Sequence, residues 1–498
     1  MMAAARTLHL TLAELLGAEA PPGVSELTVT GLSMSSHGVQ PGFAFLACPG
    51  RGRHGLDFAP AAAAAGAAVI LYEPRGSDAE LLPVRVPCIP VPRLSQRAGE
   101  IAGIFYARPS ARMRVAGLTG TNGKTTVSHL VARAAENTGH VAGICGTLGY
   151  GRPADLMPSE LTTPDAVTVQ QRLSLLADNG VTHVAMEVSS HALDQYRVNG
   201  VNFDTAVFTN LSRDHLDYHG DMQAYFEAKR QLFAWPGLRH AVINVNDVAG
   251  AQLARDMADT LRVTAVGSGK AILGFDSLQI SKVETTGTGL RLVITAAGGD
   301  VAIDSPLLGD FNAFNLALAL GVLVGWGLEA DAAAAALARV RPVAGRMESF
   351  GGGDRPLVVV DYAHTPDALD NALRALRRHC ARDLWVMFGC GGDRDRGKRS
   401  MMGEIAARLA DRVVITDDNP RREDPHRIIA EIEDGAAGEH VNVVRGRREA
   451  IEWTVAQASA GDIVLLAGKG HEDYQLVGEQ RLSLSDRDEA RRLVGDPV

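Results

Sequence analysis

A chain of 498 residues with 49 Lys and Arg against 58 Asp and Glu carries a formal net charge of −9 and a pI near 5.9, so it lacks the basic excess that gripping a phosphate backbone requires, and nucleic acid is excluded as a partner. Hydrophobic residues make up 46% and charged residues 21%. That is an ordinary globular balance on a chain too long for one core, which excludes disorder as the main theme and calls for roughly two to four domains.

Residues up to Arg112 alternate short apolar strands with Gly and Pro turns, as in GVQPGFAFLACPGRGRHG, and predict a small mixed α/β module over 1–112. Its longest apolar stretch, Phe58 to Tyr72, is shorter than the ~18 residues a membrane span needs. Broken by Pro60 and Gly66, it reads as a helix running into a strand. The opening MMAAARTLHLTLAELLG has no basic segment followed by an uninterrupted apolar core, so no secretory signal is expected and the chain is placed in the cytoplasm. Five cysteines (Cys48, Cys88, Cys145, Cys380, Cys390) form no C-x-x-C pair, which argues against a disulfide framework and a zinc cluster. Cys390, in a glycine turn, reads as a small turn residue.

From Arg114 the pattern becomes strand, glycine loop, helix, with RVAGLTGTNGKTT leading into a helix through SHLVARAAEN that stops near Gly139. The β-branched runs VAMEVSS, TAVFTNLS and AVINVND, separated by helical segments, predict a mainly parallel sheet over 113–341. Within it, residues 271–308 read as a small antiparallel insertion. RPVAGR marks a break, and over 342–498 the runs PLVVVDYAH, LWVMFGCGG, RVVITDDNP, VNVVRG and DIVLLAGKG predict a second, Rossmann-like doubly wound sheet of about five strands. The fold class is therefore α/β in three domains.

Gly120-Thr121-Asn122-Gly123-Lys124-Thr125, with Thr126 beyond, lies between a predicted strand and helix. Backbone N–H groups and a helix N-terminus there can surround a polyphosphate while Lys124 neutralises it and Thr125 reaches Mg2+. Leu118 stands where the general phosphate-loop spacing has Gly. A Mg2+-dependent nucleotide site needs a carboxylate on a neighbouring strand, and Glu187 closes THVAME. The next strand ends in TNLSRDHLDYHGDMQAYFEAKRQLF, which holds His215, Asp217, His219 and Lys229. Read alone, each His is structural and Lys229 is an exposed helical lysine.

Taken in order, TGTNGKTT, MEVSSHALDQYRV, FTNLSRDHLDYHGDMQAYFEAK, GDFNAFNLALA, GRME, DYAHTPDAL, FGCGGDRDRGKR, DDNPR and AGKGHEDYQ resemble the Mur ligases, and among them the diaminopimelate-adding members. The resemblance spans the whole chain and is strongest over 115–475. It implies that 1–112 binds the UDP moiety, 113–341 ATP and 342–498 the amino acid, in a monomer with ATP as co-substrate and two Mg2+ sites. Lys124 and Thr125 would hold phosphates and the first metal, with Glu187 bridging the metals and His215 on the second. Lys229, in a Y-x-x-x-K setting from Tyr225, would be a carbamylated lysine and a metal ligand. Asn312 would meet adenine, and Arg346 and Asp361 would approach the nucleotide. Ser36, Thr162, Thr163, Ser189, Gln195 and Arg197 would bind UDP-N-acetylmuramoyl-L-alanyl-D-glutamate. Arg394, Asp418, Asn419, Pro420, Arg421, Gly468 and Glu472 would bind meso-diaminopimelate. One departure is Ser35-Ser36-His37, where relatives carry Asp-Ser-Arg.

The amino-acid set also has a chemical reading. The distal end of diaminopimelate carries a carboxylate and an ammonium, which the forked donors of Arg421 and Arg394 and the acid Glu472 suit. An L-lysine-adding ligase, the nearest alternative, has no distal carboxylate to hold. A folylpolyglutamate synthetase would not call for the DNPR and GKGHE pair, and a regulatory phosphate-loop NTPase would need no second substrate.

Overall fold

The computed structural model describes residues 8–50, 52–75, 84–269, 274–287 and 289–497. The opening seven residues of the signal reading and residues 271–273 of the expected insertion lie outside them. The chain divides into two compact units, one running to Gln279 and including Ala317–Ala336, the other comprising Ile280–Leu316 and the chain from Leu337.

In the first unit, the N-terminal strands Gly31–Ser33, Phe43–Ala47, Val69–Tyr72 and Cys88–Pro90 form a four-stranded parallel sheet. Phe58 to Tyr72 does run from helix (Ala59–Ala64) into strand. The helix Leu94–Phe105 packs its buried Ala98, Ile101, Ala102 and Phe105 into the core of this sheet. The larger sheet runs in the order Asp155–Met157, Gly149–Arg152, Ala142–Gly146, His183–Glu187, Arg114–Thr119, Thr205–Phe208, His240–Asn244, Arg262–Ser268. All neighbours from Ala142–Gly146 onward are parallel. Buried on both faces, these strands read as unbroken apolar runs. Arg114–Thr119 sits where the winding reverses. The chain goes from it first to the Ala142–Gly146 side and later crosses to the Thr205–Phe208 side, and open α/β sheets bind ligands outside the carboxyl ends of strands at such a point.

The second unit holds a six-stranded sheet in the order Glu348–Gly351, Leu357–Asp361, Ile463–Ala467, Leu384–Phe388, Arg412–Ile415, Val441–Val443. Only the first strand is antiparallel to its neighbour. Val359 faces a core completed by Leu369, Ala372, Met402, Ile428 and Ile432, whereas Val358 and Val360 face one completed by Ile451, Val455, Ala490 and Val494. Helices thus cover both faces, as double winding requires. Beyond the five expected strands stand the edge strand Glu348–Gly351 and the hairpin Tyr474–Val477/Gln480–Ser483. The hairpin's short strands, YQLV and QRLS, mix apolar and polar residues and run from half-buried to exposed, so they carry no clear strand pattern. Strands Gly289–Ala296 and Gly299–Ser305 pair antiparallel, as expected for the insertion. All five cysteines are free. Cys390 is buried, and that burial pushes its thiol up to about 12, in keeping with a turn residue rather than a nucleophile. Among the described residues no helix is long and apolar enough to cross a membrane.

Candidate active site

The strand Arg114–Thr119 gives way to the glycine loop at Gly120, whose φ of +143 and whose spacing admit no side chain. A Cβ there would lie 1.9 Å from Thr209 Oγ1. Gly123, at φ +87, caps the helix Lys124–Asn137. Asn210 fixes the loop from the next strand, its Oδ1 accepting from Asn122 N (2.9 Å) and its amide donating to Asn122 O (3.2 Å). Lys124 Nζ donates to the loop's own carbonyls at Gly120 and Thr121, both at 2.9 Å.

Glu187, 1% exposed at the end of its strand, accepts from Thr125 Oγ1 (2.9 Å), Thr147 Oγ1 (3.0 Å) and Thr147 N (2.9 Å). Thr147 Oγ1 lies 3.0 Å from Thr162 Oγ1. The adjoining Thr163 hydroxyl donates to Glu187 O and accepts from Ser189 N, and Ser189 caps the helix Ser190–Asp194. Arg197 binds Thr163 O (2.8 Å) and grips Gln195 Oε1 with Nε and Nη2, while Gln195 Nε2 donates to Tyr218. Thr125, Glu187, Thr162, Thr163, Ser189, Gln195 and Arg197 therefore form one connected cluster.

Lys229 corrects the plain reading of the residues. It is 1% exposed, its Nζ donates 2.9 Å to Gly120 O, the carbonyl Lys124 also uses, and it lies 4.2 Å over the Tyr225 ring. Burial, then the charge of Lys124, pushes Lys229 well below the ordinary lysine range, with Asp214 opposing. The Tyr225 hydroxyl lies 3.2 Å from Thr121 Oγ1. His215, half exposed with φ +53, is 3.3 Å from the Asp214 carboxylate, and its ring packs 4.8 Å from His191 and 6.2 Å from Tyr225. His219 lies 2.9 Å from Ser190 Oγ. Among the described residues no three His, Cys, Asp or Glu side chains form a cage for a metal. Mg2+, however, takes one or two carboxylates plus substrate phosphates rather than a full protein cage, and the buried Thr125–Glu187 pair of hard oxygen donors fits that demand.

In the second unit, Asn419 is 3% exposed. Its amide donates to Glu472 Oε2 (2.9 Å), and its Oδ1 accepts from Leu476 N (2.9 Å) and Lys469 Nζ (3.2 Å). Arg421, at φ +51, donates through Nη1 to Gly392 O (2.8 Å), and its backbone pairs with Leu476 and Gly478 of the hairpin. A Cβ on Gly391 would lie 2.8 Å from Arg421 Nη1 and 3.7 Å from Arg394 Cγ, so both arginines flank that glycine. Pro420 O would lie 2.0 Å from a Cβ on Gly392, and Asp418 Oδ2 2.9 Å from one on Gly468. The GCGGDR, DNPR and GKGHE loops thus meet at strand ends. Asp361 accepts from Met347 N and Ala363 N, and burial raises its carboxyl against the pull of Arg346. Arg346 lies 4.4 Å over the Tyr362 ring.

Family models match in chain order: the Mur ligase family catalytic domain over 28–106, the Mur ligase middle domain over 118–323 and the Mur ligase glutamate ligase domain over 345–470. The chain is 48% identical to the UDP-N-acetylmuramoyl-L-alanyl-D-glutamate–2,6-diaminopimelate ligase of Alkalilimnicola ehrlichii, covering 94% of this chain and 95% of that one. The chain belongs to the Mur ligase family. The enzyme of the same name from Pseudomonas aeruginosa is 47% identical over 95% of this chain and 96% of its own. A solved structure of an enzyme of that name matches with a TM-score of 0.72 at 35% identity, over 98% of this chain and 99% of that one.

Within this Mur ligase the other expected residues stand more apart. Ser36 opens a short 3₁₀ turn in the N-terminal sheet module. Asn312 is turned inward, its amide on Leu308 O and its Oδ1 taken by Asn315. Arg394 is exposed. Sequence reasoning passed over Thr147, which sits at the end of the strand Ala142–Gly146 where ligand-facing residues collect, and Lys469, inside the very GKGHE motif that supplied Gly468 and Glu472.

Proposed function

We propose that this Mur ligase adds meso-2,6-diaminopimelate to the D-glutamyl γ-carboxylate of UDP-N-acetylmuramoyl-L-alanyl-D-glutamate, using ATP and releasing ADP and phosphate, in peptidoglycan precursor synthesis. The observation that carries the reading is the phosphate loop backed by the Thr125–Glu187 hydrogen bond and by the buried Lys229 on Gly120 O. The names of its relatives point the same way.

A carboxylate does not condense with an amine at neutral pH because its leaving group is oxide. The γ-carboxylate therefore attacks the ATP γ-phosphate in line, and ADP leaves. The amine of diaminopimelate then attacks the acyl phosphate carbon, and phosphate departs. The loop N–H groups and Lys124 cradle the phosphates, Lys124 exchanging its carbonyl partners for phosphate oxygens. Thr125 and Glu187, with His215 and Lys229 as its carbamate, would hold Mg2+, which would supply positive charge against the phosphates. Burial presses Lys229 toward its neutral form, the form that adds CO2 with loss of a proton to water, and the resulting anion would suit a metal site where an ammonium would be repelled. Thr162, Thr163, Ser189, Gln195 and Arg197 hold the UDP-linked dipeptide, with Ser36 at the uridine end. Arg394 and Arg421 take the distal carboxylate of diaminopimelate.

The domains follow as 1–112 for the UDP moiety, 113–341 for ATP and 342–498 for the amino acid, in a cytoplasmic monomer. The test is ADP release from the purified chain with each substrate omitted in turn and with L-lysine in place of diaminopimelate. ADP release that ignores the dipeptide and the amino acid would make the chain a regulatory NTPase. Equal use of lysine would make it the lysine-adding member.

A further inference from the structure

Lys469 is 0% exposed, its ammonium buried in the GKGHE loop of the proposed amino-acid site. Its Nζ donates to Glu472 Oε2 at 3.0 Å and to Asn419 Oδ1 at 3.2 Å, and Asn419 Nδ2 closes the triangle on the same Glu472 oxygen at 2.9 Å. The Tyr474 ring lies 5.3 Å away. The nearby charges have partners of their own, with Asp418 3.8 Å from Arg447. Arg447 pairs with Asp486, both 0% exposed, Arg445 pairs with Asp417, and Arg399 pairs with Glu423 and Glu431.

Resting on the function proposed above, we propose that Lys469 is a positioning and specificity-determining residue of the amino-acid site. It fixes Glu472 and Asn419 and screens the Glu472 charge, so that a bare cationic side chain is rejected and one carrying its own carboxylate is accepted. The argument is electrostatic and geometric. A carboxylate whose Oε2 already holds a buried ammonium and an amide has only Oε1 left to offer, and only part of its field. Diaminopimelate ends in an ammonium and a carboxylate of zero net charge, and its carboxylate finds Arg394 and Arg421. L-Lysine brings an unmatched positive charge toward Arg394, Arg421 and Lys469. Removing Lys469 makes the site one unit more negative, which moves the balance toward lysine and away from diaminopimelate.

The experiment compares kcat/KM for diaminopimelate and L-lysine, and KM for ATP, in wild type, Lys469→Met and Lys469→Arg. Wild-type turnover of diaminopimelate is the control for the underlying function. If it is absent, that reading fails before this one is reached. In Lys469→Met the KM for diaminopimelate should rise about tenfold or more, the cost of losing a charged hydrogen-bond partner. Lysine should not suffer likewise, so the diaminopimelate-to-lysine ratio falls at least about tenfold while the KM for ATP stays within about twofold. Lys469→Arg should keep the ratio near wild type. An unchanged ratio in Lys469→Met, or an Arg variant as unselective as the Met one, overturns the proposal. If Lys469→Met does not fold, Glu472→Gln decides. With Lys469 unscreened, lysine use should fall more than diaminopimelate use, and an equal fall overturns the proposal.

Discussion

Two lysine side chains share one acceptor in the phosphate loop, since Lys124 and Lys229 both donate to Gly120 O at 2.9 Å. Burial first, and then the charge of Lys124, push the more deeply buried Lys229 well below the ordinary lysine range, with Asp214 opposing. Each lysine therefore has a distinct expected defect. Lys124→Ala removes the cation that meets transferring phosphate, so kcat should fall by about a thousandfold, comparable to losing a principal transition-state donor. Circular dichroism should show the fold intact. A variant that kept more than a few per cent of wild-type ADP release would end the phosphate role. If Lys229 carries the proposed carbamate, Lys229→Ala should also be nearly inactive. Added formate, small enough to enter the vacated space, should restore part of its rate and none of the rate of Lys124→Ala. Full activity in Lys229→Ala would leave the residue as packing alone.

At the scale of elements, the winding was legible because parallel strands buried on both faces are written as apolar runs, each followed by the polar residues that face a ligand. Glu187 and the loop from Gly120 were found by that logic. The burial of Lys229 was not, because its helix, Met222–Arg230, shows three other charged or amide side chains in MQAYFEAKR, and only the tertiary fold turns this position onto Gly120. Lys469 was missed for the same reason, and the hairpin after it because exposed two-stranded ribbons need no apolar alternation. A second close approach also eluded the sequence. A Cβ on Gly99, inside the helix Leu94–Phe105, would lie 1.9 Å from Asn199 O, and one on Gly200 would lie 2.5 Å from Gly99 O. Gly→Ala inside a helix normally gains ~1 kcal/mol. Here a backbone carbonyl cannot rotate aside, so the overpacking cost of ~1–3 kcal/mol should win. Gly99→Ala should lower the melting temperature by several degrees, at ~2–4 °C per kcal/mol. An unchanged or raised melting temperature in a calorimetric scan would show that the helix and the Asn199 loop separate at little cost.

Across the whole molecule, the proposed chemistry divides the substrates between residue sets that are far apart in sequence. On the proposed function the set from Gly120 to Lys229 serves phosphate and the set from Gly391 to Glu472 the amino acid, and each is tied down by its own hydrogen bonds. Defects should divide the same way. Arg421 holds φ +51 and is aimed by Gly392 O, an arrangement unfavourable enough for a non-glycine residue to need a reason. If that reason is the distal carboxylate of diaminopimelate, Arg421→Ala leaves a desolvated charge short of a partner at ~2–5 kcal/mol. The KM for diaminopimelate should then rise by about tenfold to a hundredfold or more, while the KM for ATP and for the UDP-linked dipeptide stays nearly unchanged. L-Lysine, which has nothing for Arg421 to hold, should be a poor substrate of the wild type and should be affected far less by the substitution. The measurement is three substrate titrations on each enzyme, read as ADP release. An Arg421→Ala defect that fell on ATP, or on lysine and diaminopimelate alike, would move the amino-acid site away from the DNPR turn and take the assignment of diaminopimelate with it.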